Sequence, residues 1–418
     1  MVETGANGVV IEGTLEVMVL YVGADDNIPF YGKMIQIPFN QQIDMNDLKK
    51  STVYSVEVGT LQINTTMIDS EEIEIKAVID MSVMAVEEFE KDVIYEISQA
   101  PLDYERLENI AGIVVQKDGQ NVYEKYFNDC TADSRIHVYS VTKSILSILI
   151  GIAIDKGYMK SINQKVLDFF PEYKVKKGEK TIQNVTLKDM LTMTAPYKYF
   201  FAPYKKYFTS KDWVNFSLDL LGGRGKIGTF RYAPLIGMDI LSGILVKATK
   251  QSVFDFATEN LFEPLEILVK ENIVFHSKEE QMAFNKATDI SGWVADPKGV
   301  NTGGWGLTLS PVDMAKIGQL YLDGGMWNGQ QIVSKSWIDE STKEQSRWEK
   351  RKLSYGYLWW LGEEGEKGFA AMGDGGNIIY VNPEKKMVVS IASVFKPNAK
   401  DRIGLIKKYV EPVFCYEQ

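Results

Sequence analysis

The chain has 418 residues and a mass of 47.2 kDa, with 45% apolar and 24% charged residues. That length predicts two or three domains with a real core, and the composition excludes collagen-like, coiled-coil and wholly disordered classes. A formal net charge of −10 argues against nucleic acid or an anionic membrane as partner, and two cysteines with two histidines are too few for a disulfide framework or an all-Cys/His metal site.

Residues 1–8 hold no basic segment leading into an apolar stretch, so no secretory signal is expected and a cytoplasmic location is. Cys130 and Cys415 lie far apart and read as free thiols of a reducing compartment. Residues 1–97 carry 18 acidic and 5 basic side chains, a net of −13, whereas the rest of the chain has a net of +3. All eight tryptophans and both histidines fall beyond residue 97. This step predicts an acidic domain over 1–97, a linker over 98–110 and a second domain over 111–418.

In the first domain Ile11, Gly13, Leu15, Val17, Val19 and Tyr21 alternate with Glu12, Thr14, Glu16, Met18 and Leu20. Residues 73–83 alternate in the same way. Period two predicts strands with one buried and one wet face. Asp25-Asp26-Asn27 reads as a hairpin turn, and the Glu-rich stretch 84–110 as a connector. The stretches Ile11-Glu-Gly-Thr-Leu-Glu-Val-Met-Val-Leu-Tyr-Val, Pro29-Phe-Tyr, Ile37-Pro-Phe and Ile73-Glu-Ile-Lys-Ala-Val-Ile resemble the repeated β domain of SipL-type spore-coat proteins, the SPOCS domain. The resemblance implies a protein-binding or self-assembling module, associated with the forming spore coat. The residues alone also fit a generic acidic β-sandwich.

From Ala111 the pattern changes. Gly112 to Phe127 reads as a hairpin turning at Asp118-Gly119. The run from Tyr139 to Ile154 is apolar on all sides, which predicts a buried helix. Its apolar part is too short to span a bilayer, which takes about 20 residues. Ser140 and Lys143 stand three apart at its start, so their side chains share one face. A helix N-terminus leaves the Ser140 N–H without an intrahelical partner. A buried lysine has a lowered pKa and can take a serine proton at neutral pH. The spacing alone fits equally a serine N-cap beside a solvated lysine. Ser393-Val-Phe-Lys396 repeats it at the end of a strand-like run, which is the wrong context.

The central part, roughly 150–330, reads as rich in helices. Asp212 to Leu220 is one of them. Ser310, Pro311 and Asp313 start another, with Met314, Ile317, Leu320 and Tyr321 on its apolar face and Gly324-Gly325 at its end. From Gly368 strands return, with Asn377 to Val381, a turn at Pro383-Glu384, and Met387 to Ala392. Gly223 to Gly228 satisfies G-x-G-x-x-G but follows a helix and reads as a turn. His137, on the approach to Ser140, and His276, among charged residues, do not make a Ser-His-Asp triad.

The following words occur in order: His137-Val-Tyr-Ser-Val-Thr-Lys-Ser, Leu187-Lys-Asp-Met-Leu, Gly228-Thr-Phe-Arg-Tyr, Leu241-Ser-Gly-Ile-Leu, Leu261-Phe-Glu-Pro-Leu, Asn301-Thr-Gly-Gly-Trp-Gly-Leu, Tyr355-Gly-Tyr-Leu-Trp-Trp and Met372-Gly-Asp-Gly-Gly-Asn. Over 111–418 they resemble the serine β-lactamase/penicillin-binding superfamily, on the branch of class C-like esterases and aminohexanoate-dimer hydrolases. The fold class implied is multidomain: an N-terminal all-β domain, then a β-lactamase-like α/β domain with an antiparallel sheet flanked by helices and a mainly helical region.

The resemblance implies a serine hydrolase cleaving a small-molecule ester or amide through a Ser140 acyl-enzyme, with no metal or cofactor. Lys143 would activate the serine. Tyr232 would be the second proton-transfer group, its pKa lowered by the nearby ammonium. Position 234 is proline, which cannot donate the family's hydrogen bond. One extra residue would also put Ala233 in the tyrosine register, unless a bulge restores Tyr232. The third motif falls at Gly373-Asp374-Gly375-Gly376, with Gly376 N–H expected beside Ser140 N–H in the oxyanion site. Small residues there let the backbone approach substrate. No cation is expected where penicillin-recognising members carry one. Asp374 either repels a lactam carboxylate, favouring a neutral or cationic substrate, or faces away in a turn. Asn301-Thr-Gly-Gly competes for the third motif but leads into a helix cap. Tyr197, Tyr199, Tyr204, Trp305 and Trp359 are pocket walls or core. The alternative reading is a non-catalytic spore-coat protein that retains the hydrolase scaffold.

Overall fold

Two antiparallel meanders open the chain. The computed structural model describes residues 2–5, 8–21, 31–44, 56–67, 72–83 and 85–96, and residues 108–414 except Glu364, Asn398, Lys400 and Asp401. The chain divides into two compact units, one of Met1–Leu107 with Lys407–Gln418 and one of Glu108–Ile406.

In the first unit β1 (Val2–Gly5), β2 (Gly8–Tyr21) and β3 (Tyr31–Asp44) form one sheet. A second holds β4 (Val56–Met67), β5 (Glu72–Val83) and β6 (Ala85–Glu96). On β2 Glu12, Thr14 and Glu16 are exposed while Gly13 and Leu15 are half-buried, which is the period-two pattern. Glu12 and Glu16 accept from their partners across the ladder, Asn40 and Gln36, at 2.5 and 2.6 Å. Gly13 lies opposite Phe39, whose ring occupies the space a Cβ would need. The expected turn at Asp25–Asn27 and the faces of residues 73–83 lie outside the described residues. The stretch expected to be a connector is corrected in part: Ala85–Glu96 forms β6, paired from Val83↔Ala85 to Glu72↔Glu96. An edge strand is held by backbone groups on one side and tolerates a charge-rich sequence.

The second unit is built on one eight-stranded antiparallel sheet. Its strands are β7 (Ile110–Lys117), β8 (Gln120–Tyr126), β9 (Ser346–Trp348), β10 (Leu353–Tyr355), β11 (Trp360–Leu361), β12 (Phe369–Gly373), β13 (Asn377–Asn382) and β14 (Met387–Ser393). The order is β9-β10-β11-β12-β13-β14-β7-β8. Asp118 and Gly119 both take positive φ, 51° and 78°, in the two-residue turn that Asp-Gly favours. β13 and β14 are buried at every position, so they read as continuous apolar runs instead of alternating ones.

Helices cover that sheet and build the helical region. They include α1 (Val141–Asp155), α2 (Tyr204–Phe208), α3 (Trp213–Leu220), α4 (Met238–Thr249), α5 (Pro311–Leu322) and α6 (Lys335–Ser341). α5 starts in the expected capping box: Ser310 Oγ accepts from Asp313 N–H at 3.0 Å, and Asp313 accepts from Ser310 N–H at 3.1 Å. Glycine at 318 lets α5 lie close on the sheet, where a Cβ would stand 2.4 Å from Val388 Cγ1. Among the described residues no helix is long and apolar enough to cross a membrane.

α1 is buried from Val141 to Ala153 and carries the serine–lysine pair at its start. Gly151 interrupts its apolar run because the Trp337 ring of α6 occupies the space beside it, 2.5 Å from an ideal Cβ. Gly151→Val should therefore destabilise the second unit by about 1–3 kcal/mol through overpacking, despite the gain in helix propensity. Urea unfolding measures this, and a neutral or stabilising change would show that Trp337 has room to move.

Candidate active site

The approach to α1 is made rigid by His137. Residues Ile136–His137 pair with Thr308–Leu309 in a short antiparallel bridge. The His137 ring is buried, its Nδ1 lies 3.0 Å from Asn285 Oδ1, and its Nε2 accepts from Gly306 N–H at 2.9 Å. An accepting Nε2 leaves the proton on Nδ1, which donates to Asn285. Burial pushes this imidazole down to about 3, with the Asn285 bond opposing. His137 is thus neutral and fully engaged, and cannot act as base for Ser140.

Next in the chain, Tyr139 adopts φ 49°, a left-handed conformation that costs an ordinary residue about 1–2 kcal/mol. Its ring stacks on His137 at 3.8 Å and packs 5.4 Å from Phe395, and these contacts hold the turn. The turn delivers Ser140 to the N-cap of α1. Among the described residues nothing accepts the Ser140 backbone N–H.

Lys143 lies one turn on and is 1% exposed. Its Nζ donates to Ser140 Oγ at 2.8 Å, to the Pro234 carbonyl at 2.6 Å and to the Gly304 carbonyl at 3.0 Å. Burial pulls this ammonium down to about 7, against the opposing charges of Asp374 and Asp239. A neutral amine has two N–H groups and one lone pair. Two carbonyls take the N–H groups, so the lone pair is left for the Ser140 hydroxyl. The arrangement is a solvent-shielded base aimed at a half-buried serine.

Tyr232 completes the cluster. Lys143 Nζ lies 5.2 Å from its ring centroid, and the phenol interacts with the Ser140 side chain. Tyr232, not Ala233, therefore faces the pair. Ala233 is buried, and its N–H points to Met193 Sδ at 3.4 Å. The expected direction of the phenol's pKa is corrected. Burial pushes it up to about 12, Asp374 adds to the rise, and Ser140 offsets part of it. Desolvation of a phenolate outweighs a lysine that is itself close to neutral.

The third segment runs from β12 through a tight turn into β13. Gly373 is its closest approach to the serine: a Cβ there would stand 2.2 Å from Val138 O and 3.2 Å from Ser140 N. Asn377 ties the turn to the approach and to β14, its side-chain amide donating to Asp374 O at 2.9 Å and Ser393 O at 3.0 Å and lying 3.5 Å from His137 O. Asp374 is exposed, and its charge reaches Lys143, Tyr232, Tyr139 and Tyr204, so it lies on the site's side of the turn. Gly375 abuts the Phe395 backbone and Gly376 abuts Arg402, where a Cβ would stand 2.6 Å from Nε. A buried cation, Arg402, adjoins this segment at Gly376. Arg402 is buried and donates to Asn109 Oδ1 at 3.1 Å, so it braces the turn from inside.

Several groups near the pair carry no motif. The Pro234 and Gly304 carbonyls are main-chain atoms, and only the glycines of Asn301-Thr-Gly-Gly hinted at the second. Asp239, one residue into α4, is buried and bonded to Tyr207 and Gly303. Of the aromatic candidates Tyr197, Trp305 and Trp359 are core residues. Tyr199 lies against Arg231, with the guanidinium 4.8 Å from its ring centroid. The second Ser-x-x-Lys does not form a pair of this kind, since Ser393 is buried at the end of β14 and Lys396 meets Glu108 at 3.3 Å.

A family model described as Beta-lactamase matches residues 106–410, and one described as SipL, SPOCS domain matches residues 1–68. A curated 6-aminohexanoate-dimer hydrolase of Paenarthrobacter ureafaciens is 22% identical over 310 residues, 69% of this chain and 74% of the relative. A penicillin-binding protein homologue from Caulobacter crescentus superposes with TM-score 0.57 at 16% identity, covering 73% of this chain and 93% of that one. A family VIII carboxylesterase superposes with TM-score 0.53 at 18% identity, covering 72% and 91%. The structural matches concern the fold.

The geometry predicts one lysine that titrates far below the others. In an ¹⁵N spectrum of lysine Nζ groups, a single resonance should have its midpoint near pH 7 and be absent from Lys143→Ala. A wild-type spectrum in which every lysine titrates at about the ordinary value of 10.4 would contradict the site as described.

Proposed function

The chain belongs to the beta-lactamase family, and from that premise we propose that it is a serine hydrolase, cleaving an ester or amide through an acyl-enzyme on Ser140. The observation that carries this reading is the donor pattern of Lys143, whose two carbonyl acceptors leave its lone pair to the serine.

The steps follow from the cluster. Ser140 Oγ attacks the carbonyl carbon while its proton passes to Lys143 Nζ. The developing oxyanion takes the free Ser140 N–H, and the second donor is proposed to come from the turn that starts at Gly373, the residue lying against Ser140 N. A phenol raised to about 12 keeps its proton at neutral pH, so Tyr232 acts as the acid. Its proton goes to the leaving oxygen or nitrogen as that bond breaks, and the Lys143 ammonium returns a proton to the phenolate. Water then attacks the acyl group while Lys143 takes its proton, and the Lys143 ammonium returns that proton to Ser140 Oγ as the acyl bond breaks, which regenerates the neutral amine.

Asp374 supports a neutral or cationic substrate over one with a carboxylate near the scissile bond. The SPOCS match over residues 1–68 supports reading 1–97 as a separate module that binds a coat protein or a second copy.

Steady-state hydrolysis of nitrophenyl esters tests the reading. With Lys143 at about 7, kcat/KM should rise through neutral pH as the ammonium loses its proton, and Ser140→Ala should abolish turnover. Tyr232→Phe should lower kcat by roughly 10²–10⁴ for an anilide or alkyl ester, and much less for a nitrophenyl ester, whose leaving group needs no proton. Equal losses on both substrates would remove Tyr232 from the acid role, and full activity in Ser140→Ala would overturn the mechanism.

A further inference from the structure

Behind the pair lies a buried carboxylate that the steps above do not use. Asp239 is 2% exposed, at the second position of α4. Its Oδ2 accepts from the Tyr207 hydroxyl at 2.8 Å, and its Oδ1 accepts from Gly303 N–H at 3.2 Å. Gly303 leads directly into Gly304, whose carbonyl receives Lys143. The packing leaves no slack: a Cβ on Gly303 would stand 2.3 Å from Met238 O, and one on Gly304 would stand 3.2 Å from Pro234 O. Both carbonyls that hold Lys143 therefore sit against the start of α4, and Asp239 pins one of them.

We propose that Asp239 is a positioning residue for the Ser140–Lys143 pair, anchoring through Gly303 the carbonyl that receives Lys143 and placing a carboxylate behind the amine. The proposal rests on the hydrolase reading above and adds a control on its base. Tyr207 orients the carboxylate from α2, and Tyr197 and Asp296 also sense or oppose its charge. On the Lys143 side the facing groups are Asp374, Tyr232 and Ser140. Burial pushes Asp239 up to about 7, with Tyr207 and Gly303 opposing. It thus gains its charge in the range where Lys143 loses its own. An ionised Asp239 stabilises the ammonium, so it holds the base back until the pH exceeds neutrality.

The signs are testable. Asp239→Asn keeps an acceptor for Gly303 and a partner for Tyr207 but removes the charge, so Lys143 should lose its proton more easily. The acid limb of kcat/KM for a nitrophenyl ester should move down by roughly half a pH unit. Asp239→Ala, which also frees Gly303, should lose about tenfold in kcat or more. Tyr207→Phe, which weakens the carboxylate's charged form, should move the limb in the same direction as Asp239→Asn. It serves if the asparagine variant does not fold. An acid limb that stays in place in a folded variant overturns the proposal. If the wild type shows no Ser140-dependent hydrolysis, the parent reading fails, and the Lys143 ¹⁵N midpoint decides this one alone. A lower midpoint in Asp239→Asn supports it, and an unmoved midpoint overturns it.

Discussion

One amine out of water constrains the candidate site of the second unit. Lys143 sits at the start of a helix buried on all sides, with no solvent to hydrate an ammonium. A lysine in that position either keeps its charge by finding acceptors or gives up its proton. Here both answers are in balance. Three acceptors satisfy the ammonium, and two main-chain carbonyls satisfy the neutral amine while directing its lone pair to Ser140.

The surrounding structure maintains that balance. The loop at Asn301–Gly304 must approach α4 closely, which only glycine at 303 permits against Met238 O. The chain before Ser140 passes through a left-handed tyrosine, held by its stack on a buried neutral histidine. β12 brings Gly373 against Ser140 N, and Arg402 and Asn377 brace the turn that follows. A strained residue, a buried charge and close glycine contacts each cost stability. Their convergence on one serine marks a place where precise geometry is retained against that cost.

Most of the scaffold was legible in the sequence because its signals are local. All-round apolarity identified α1, Ser310 and Asp313 announced the cap of α5, and Asp118-Gly119 specified the hairpin. Ser140, Lys143 and Tyr232 were readable as a set through the family resemblance, and they come together in space. The acceptors of Lys143 were not readable, because a carbonyl belongs to every residue and leaves no mark in the side-chain code. Asp239 resembles an ordinary first-turn acid until its burial is known. A neighbouring lysine predicts a lowered phenol pKa for Tyr232, whereas burial lowers that lysine's charge and penalises the phenolate together, so the direction reverses. β6 was misread because an edge ladder satisfies the backbone whatever the charge of its side chains.

The central claim is that Lys143 makes Ser140, and no other group, the nucleophile. Acid-quenched mass spectrometry during turnover of a slowly deacylating ester tests it most directly. The account predicts a transient acyl mass on the peptide containing Ser140, lost in Lys143→Met with the fold intact. An acyl group on Lys143 itself, or turnover with no adduct on Ser140 at any quench time, would contradict it.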